Sequence, residues 1–173
     1  ELLHGEKIFI ATGSRPRDPD EIDIDHENLL DSDSILSMSY LPRSLAVLGA
    51  GVIASEYASI FSNFGVRVVM FDKYPQPLGF LDPDLVDDFC ERFRESDGEY
   101  IGNSKVVSME WDGVSNVITR LESGQAIETD KAFVAQGRVA NTKSLGLEKA
   151  GLALTDRGLI RVNENFQTDV EHI

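Results

Sequence analysis

One cysteine, Cys90, is all that this 173-residue sequence contains. An internal disulfide, a dithiol pair and a cysteine-rich metal site are therefore excluded, and the lone thiol agrees with a reducing cytoplasm. Basic residues are scarce as well. There are 16 Lys and Arg against 30 Asp and Glu, for a net charge of −14. DNA, RNA and anionic lipid call for clustered cations, so nucleic-acid and membrane partners are not expected. No apolar run approaches the roughly 20 residues of a membrane-spanning helix, and no secretory signal pattern is visible. The histidines His4, His26 and His172 show no metal-ligand spacing, so no metal is assigned. Internal repeats and low-complexity tracts are also missing. Hydrophobic residues make up 42%, enough for a packed core. The sequence opens on Glu1 and closes on Ile173 in mid-pattern, and both ends are expected to be cut points of a longer protein.

Along the chain, "KIFIATGS" at 7–14 reads as a buried strand, followed by a polar, acidic loop at 15–28. Ser32 or Ser34 can cap a short helix that ends at Pro42. "SLAVL" at 44–48 is too short for a helix and reads as a buried strand. Val52–Phe64 carries Ile53, Tyr57, Ile60, Phe61 and Phe64 at helical spacing, and Gly65 stops it. A strand at 66–71 follows, completing a right-handed βαβ unit. A second helix is expected over Asp84–Asp97, with Leu85, Phe89 and Phe93 on its apolar side, then a strand at 100–106. The next segments are short and alternating, punctuated by Asp112-Gly113 and Ser123-Gly124, which is hairpin chemistry. Phe133–Gln136 reads as a returning core strand, and 140–173 as loops and short strands. The expected fold is α/β: a Rossmann-like parallel sheet with helices on both faces and an inserted antiparallel meander.

Gly49-Ala50-Gly51-Val52-Ile53-Ala54 has the form G-x-G-x-x-A between an expected strand and an expected helix, which is the context that gives the pattern meaning. Gly49 permits the tight turn, Gly51 leaves room for a pyrophosphate at the backbone, and Ala54 lets helix and strand pack closely. The helix N-terminus adds free N–H groups and a partial positive charge. An acid that takes the adenosine ribose hydroxyls should close the second strand. Asp72 does so, 23 residues beyond Gly49. Its carboxylate favours NAD(H) and repels a 2′-phosphate. The adjacent Lys73 could pair with that phosphate, or could be a solvated loop lysine.

Four stretches, "IATGSRP" at 10–16, "GAGVIASE" at 49–56, the acid at 72 and "VAQGRVANT" at 134–142, resemble in order the motifs of the two-dinucleotide-binding-domain flavoprotein oxidoreductases. Ala140 stands where that family usually has proline. "LLDSDSILSMSYLPRSL" and "SEYASIF" are most similar to the transhydrogenase branch, which passes hydride between NADPH and NAD through bound FAD. Dihydrolipoyl dehydrogenase shares the skeleton and is the nearest alternative. A non-catalytic NAD(H)-binding redox sensor is the alternative of another class.

The resemblance implies NAD(H) and NADP(H) as ligands, and FAD in the full-length protein. It places Glu56 near the nicotinamide, Val106 toward the adenine, and Gly137 on the nicotinamide side. Arg138 could meet phosphate or flavin-domain groups, or be structural. Thr12 and Gly13 match a turn of the FAD domain. It further implies that residues 1–40 are FAD-domain tail and linker, 41–139 the NAD(P)-binding domain, and 140–173 a return segment. The family's principal FAD motifs, redox cysteine motif and C-terminal dimerisation domain are not in this sequence. A homo-oligomer formed through that last domain is the expected assembly, and no catalytic acid–base pair is expected here.

Overall fold

Every residue of Ser44–Leu48 is buried, as a strand covered on both faces requires. The computed structural model describes residues 3–173. In chain order the strands are β1 (Ser14–Pro16), β2 (Leu29–Leu30), β3 (Ser44–Leu48), β4 (Arg67–Phe71), β5 (Gly98–Ile101), β6 (Val106–Trp111), β7 (Val117–Leu121), β8 (Ala126–Thr129), β9 (Lys131–Val134) and β10 (Arg138–Ala140). The α-helices are α1 (Val52–Asn63) and α2 (Pro83–Glu95). The chain divides into two compact units, one spanning Pro16–Gly137 and the other drawn from the stretches up to Arg15 and from Arg138 onward.

In the larger unit a five-stranded parallel sheet has the order β2-β9-β3-β4-β5. Leu45 pairs with Val68 on one side and Lys131 on the other, which sets the register. The antiparallel strands β6, β7 and β8 form a separate three-stranded sheet. Its turns contain Gly113 (φ 80°) and Gly124 (φ 89°), at the Asp-Gly and Ser-Gly pairs that the sequence marks.

The two faces of the parallel sheet are covered differently. Leu45, Val47, Val68, Met70 and Phe133 pack against Ala54, Ala58 and Phe61 of α1 and Phe93 of α2. Ala46, Leu48, Val69, Phe71 and Val134 pack against Met109, Val117 and Leu121 of the antiparallel sheet. Each fully buried large side chain contributes roughly 1.5–3 kcal/mol. Helices on both faces were expected; both lie on one face, and the meander covers the other. The strand order explains the difference. From β3 to β4 to β5 the chain steps in one direction, so two right-handed crossovers deliver their helices to the same side.

α1 ends as its sequence dictates. Gly65 takes φ 81°, its N–H donates to Ser62 O at 2.9 Å, and the Val66 N–H donates to Phe61 O at 3.1 Å. This is the Schellman pair of bonds. The buried face differs from the expected one, however. Ala54, Ser55, Ala58, Phe61 and Ser62 are buried, while Ile60 and Phe64 are 48% and 67% exposed. Small residues win the inner face because the helix lies close to the sheet. In α2 it is Val86 and Phe93 that are buried, and Leu85 is 59% exposed.

Three further expectations change. Residues 7–13 are not a strand, and Phe9 is 91% exposed. An apolar run becomes a strand only where it finds a pairing partner, and strand geometry begins at Ser14, where β1 pairs with β10. The strand expected at 100–106 is β5 at 98–101; residues 102–105 turn before β6 begins. The short helix near Ser34 is a single 3₁₀ turn, Ile35–Ser37, with no side-chain cap. Asp31 organises it instead, its Oδ1 accepting from the N–H groups of Asp33 and Ser34 and from the Ser34 hydroxyl. Among the described residues no helix is long and apolar enough to cross a membrane.

Candidate functional site

The C-terminal ends of β9, β3 and β4 lie side by side, and in open α/β sheets ligands settle at that edge. The turn after β3 is pinned from both neighbours. The Gly49 N–H donates to Phe71 O at 2.9 Å, and the Ala135 N–H donates to Leu48 O at 2.8 Å. Ala50 O accepts from the Leu78 N–H at 2.8 Å. Gly49 has φ 120°, and a Cβ there would lie 2.6 Å from Ala135 O. Glycine is thus demanded at 49 by the fold itself.

Gly51 is different. Its φ of −80° and ψ of −174° suit any residue, and an added Cβ would meet nothing within 4 Å. The fold makes no demand for glycine there. What lies in front of it is open space at the start of α1, whose N-terminus has no side-chain cap and no acid in its first turn. The first N–H groups of a helix have no intrahelical acceptor. Together these features suit a bound anion.

Gly49, Ala50, Gly51, Asp72, Lys73, Val106 and Gly137 all line one cleft of about 500 Å³. The sequence reading named each of them, and the fold brings them together. Leu48, Ala135 and Gln136 complete the floor and the β9 side. Asp72 sits at the end of β4, where its Oδ1 accepts from the Tyr74 N–H at 3.2 Å. Its backbone O accepts from the Ser104 N–H at 2.9 Å, which lays the 102–105 turn beside it. The Tyr100 hydroxyl donates to Tyr74 O at 2.8 Å. Burial first, and then the Asp72 charge, push that phenol above its ordinary range, so it stays protonated as the donor.

Other named residues lie elsewhere. Val52 and Ile53 form the first turn of α1 outside the cleft lining, and Glu56 is exposed on the next turn. Thr12, Gly13 and Arg138 belong to the smaller unit. There the Arg138 guanidinium donates to the Ser14 hydroxyl at 2.9 Å and to Ser14 O at 2.7 Å. Asn141 bonds Gly13 O through its N–H and Thr12 O through its side-chain amide.

Besides Leu48, Ala135 and Gln136, four cleft residues escaped the sequence reading: Arg17, Tyr74, Ser104 and Lys105. Lys105 immediately precedes Val106, and that adjacency was the only signal available. Arg17, Lys73 and Lys105 face a single acid, Asp72, in a chain of net charge −14. The site therefore concentrates positive charge locally around one carboxylate, an arrangement that suits an anionic ligand bearing a diol. Among the described residues no group of His, Cys, Asp and Glu could hold a metal ion.

Residues 1–173 match the family described as "Pyridine nucleotide-disulphide oxidoreductase". The chain is 42% identical over its whole length to the soluble pyridine nucleotide transhydrogenase of Ectopseudomonas mendocina, covering 37% of that protein. It is 40% identical to the protein of the same description from Marinobacter nauticus, again covering 37% of it. The chain thus spans well under half the length of these curated relatives. Among solved structures, the HOCl-induced flavoprotein disulfide reductase RclA from Escherichia coli superposes with a TM-score of 0.90 and 32% identity, over 98% of this chain and 39% of that one. LpdA from Mycobacterium tuberculosis superposes with a TM-score of 0.87 and 27% identity, over 93% of this chain and 35% of that one.

Proposed function

We propose, from the premise that this chain belongs to the pyridine nucleotide-disulphide oxidoreductase family, that it is the pyridine nucleotide-binding part of an FAD-dependent enzyme exchanging hydride between NADPH and NAD. One observation carries the dinucleotide reading: the uncapped start of α1, with open space at Gly51, meets Asp72 at the next strand end in a single cleft. The pyrophosphate lies against the Gly49–Gly51 backbone and the first N–H groups of α1. Asp72 accepts the adenosine ribose hydroxyls, and Val106 meets the adenine. The nicotinamide extends toward Gly137, with Glu56 on its side of the helix. A bound flavin would supply the hydride-transfer chemistry; the residues of this chain bind and orient the nicotinamide dinucleotide. Thr12 and Gly13 belong with the flavin-binding portion, and the Arg138 bonds to Ser14 favour a structural part for that arginine.

The transhydrogenase reading is favoured over a dihydrolipoyl dehydrogenase by the relatives that match at 40–42% identity. Residues 41–139 are the NAD(P)-binding domain of this proposal. A cytoplasmic location and a homo-oligomeric full-length protein complete it.

The test is a titration of NADH and NADPH against the purified protein and its Asp72→Asn variant at one fixed salt concentration. Hydrogen bonds to a charged group contribute roughly 1.5–3 kcal/mol each, so NADH should bind more tightly than NADPH to the wild type. In the variant NADH should weaken, NADPH should lose its repulsion, and the gap should narrow. An unchanged ratio would remove Asp72 from the ribose site.

A further inference from the structure

A protein that exchanges hydride between NADPH and NAD has to admit a 2′-phosphate where Asp72 repels one. Asp72 fixes the adenosine end on the β4 side of the glycine turn. Of the three cations at the cleft, Arg17 lies at the other end, its N–H donating to Gly137 O at 3.0 Å. Two lysines remain near the ribose. Lys73 directs its Nζ over the Tyr74 ring, 5.2 Å from the centroid. Lys105 comes from the turn that the Ser104–Asp72 backbone bond lays beside Asp72. Its Nζ is 3.2 Å from Glu122 Oε1, and its backbone O accepts from the Glu122 N–H at 2.9 Å.

We propose that Lys105, held at the cleft rim by Glu122, is the residue that admits the 2′-phosphate of NADP(H) beside Asp72. This rests on the dinucleotide reading of the cleft. The Lys105 and Glu122 side chains are 68% and 67% exposed, and pairs so exposed are weak and exchangeable. A phosphate monoester carries more negative charge than the carboxylate, about −1.5 to −2 at pH 7. It therefore draws Lys105 away from Glu122 at little cost. NADH offers no such anion, and Lys105 then stays with Glu122. The ion pair is thus a latch: closed with NAD(H), opened by NADP(H). Glu122 opposes the phosphate twice, as a competitor for the lysine and as a like charge.

Lys105→Gln, Glu122→Gln and Lys73→Gln separate the contributions, with NADH and NADPH titrated against each purified variant. Lys105→Gln should weaken NADPH about five- to tenfold, as loss of one partly exposed charge-assisted bond implies, and leave NADH within about twofold. Glu122→Gln should tighten NADPH and leave NADH unchanged. Lys73→Gln should change neither by as much as Lys105→Gln changes NADPH. Equal loss of both dinucleotides in Lys105→Gln, no loss of either, or a selective NADPH loss in Lys73→Gln would overturn the assignment while leaving the cleft reading intact. A wild-type protein that binds neither dinucleotide would overturn both. All three side chains are exposed or at a rim, and coincident melting curves verify that each variant is folded.

Discussion

Adding one methyl group at Gly49 and the same methyl at Gly51 should have opposite consequences. At Gly49, alanine must adopt φ 120°, and its Cβ would lie 2.6 Å from the Ala135 carbonyl oxygen. A side chain in such a backbone region costs about 1–3 kcal/mol. Moving the β9 backbone away from the contact costs about 1–3 kcal/mol more. A combined loss of about 2–6 kcal/mol corresponds to a fall in melting temperature of about 4–24 °C for a chain of this size. At Gly51 the backbone is ordinary and the space is open. There alanine gains about 0.4–1 kcal/mol through the unfolded state and loses about 0.5–1 kcal/mol as the poorer N-cap residue. Its melting temperature should stay within about 2 °C of wild type. On the proposed placement, that methyl projects into the approach of the pyrophosphate, so NADH affinity should fall at least about tenfold, or 1.4 kcal/mol. The assay is a thermal melt of each variant without ligand, followed by a titration with NADH. Equal destabilisation by the two substitutions would refute the division of labour between the glycines. Unaltered NADH binding by a well-folded Gly51→Ala protein would refute the placement of the pyrophosphate.

Two other substitutions test the scaffold. An added Cβ at Gly98 would collide with the Phe93 ring; Gly98→Ala should cost about 1–3 kcal/mol, read by denaturant titration, and Phe93→Leu in the same chain should recover part of it. Asp130 joins the start of β3 to the segment entering β9, and although burial acts to raise its pKa, the Arg43 N–H, the Arg43 guanidinium and the Ser44 hydroxyl outweigh it and hold the carboxyl below its usual value. Its contribution to stability is therefore present above about pH 4, the unfolded value, and is lost as pH falls through the lower folded value. Asp130→Asn should be less stable than wild type at pH 7, with the difference shrinking below about pH 4; a difference independent of pH would refute this.

The parts of the site legible in the sequence are those where one short stretch carries the whole constraint. The glycine turn, Ala54, the Gly65 stop and Asp72 each declare themselves through local backbone chemistry. Faces and neighbours are not local in that sense. Ile60, Phe64 and Leu85 have the spacing of a core stripe, yet small Ala54 and Ala58 took the inner position, because spacing gives a period and not the separation between layers. The placement of both helices on one side follows from strand order, which no single segment encodes. Lys105 and Ser104 reach the cleft through a backbone bond to Asp72, some thirty residues away in the chain, and nothing in "GNSKV" announces it. Residues 7–13 show the converse, an apolar run with no described strand to pair with.

The parallel pairing of β3 with β9 has a consequence for the order in which the chain can assemble. The β6–β8 hairpins and the β3-α1-β4 unit close short loops, and short loops close quickly. The contact between Arg43 and Asp130, by contrast, spans 87 residues, so docking β9 carries the larger loop-closure entropy and comes late. Ala135 and Gly137 reach the glycine turn only with that docking, so half of the cleft does not exist until this long-range contact has formed. A partly folded chain with β9 undocked keeps the "GAGVIA" turn and Asp72 but has no second wall. On the proposed reading of the cleft, dinucleotide binding is thereby reserved for the completed topology. Ligand added during refolding acts on that late step and stabilises its product, leaving the earlier hairpins and the first crossover to form at their own rates.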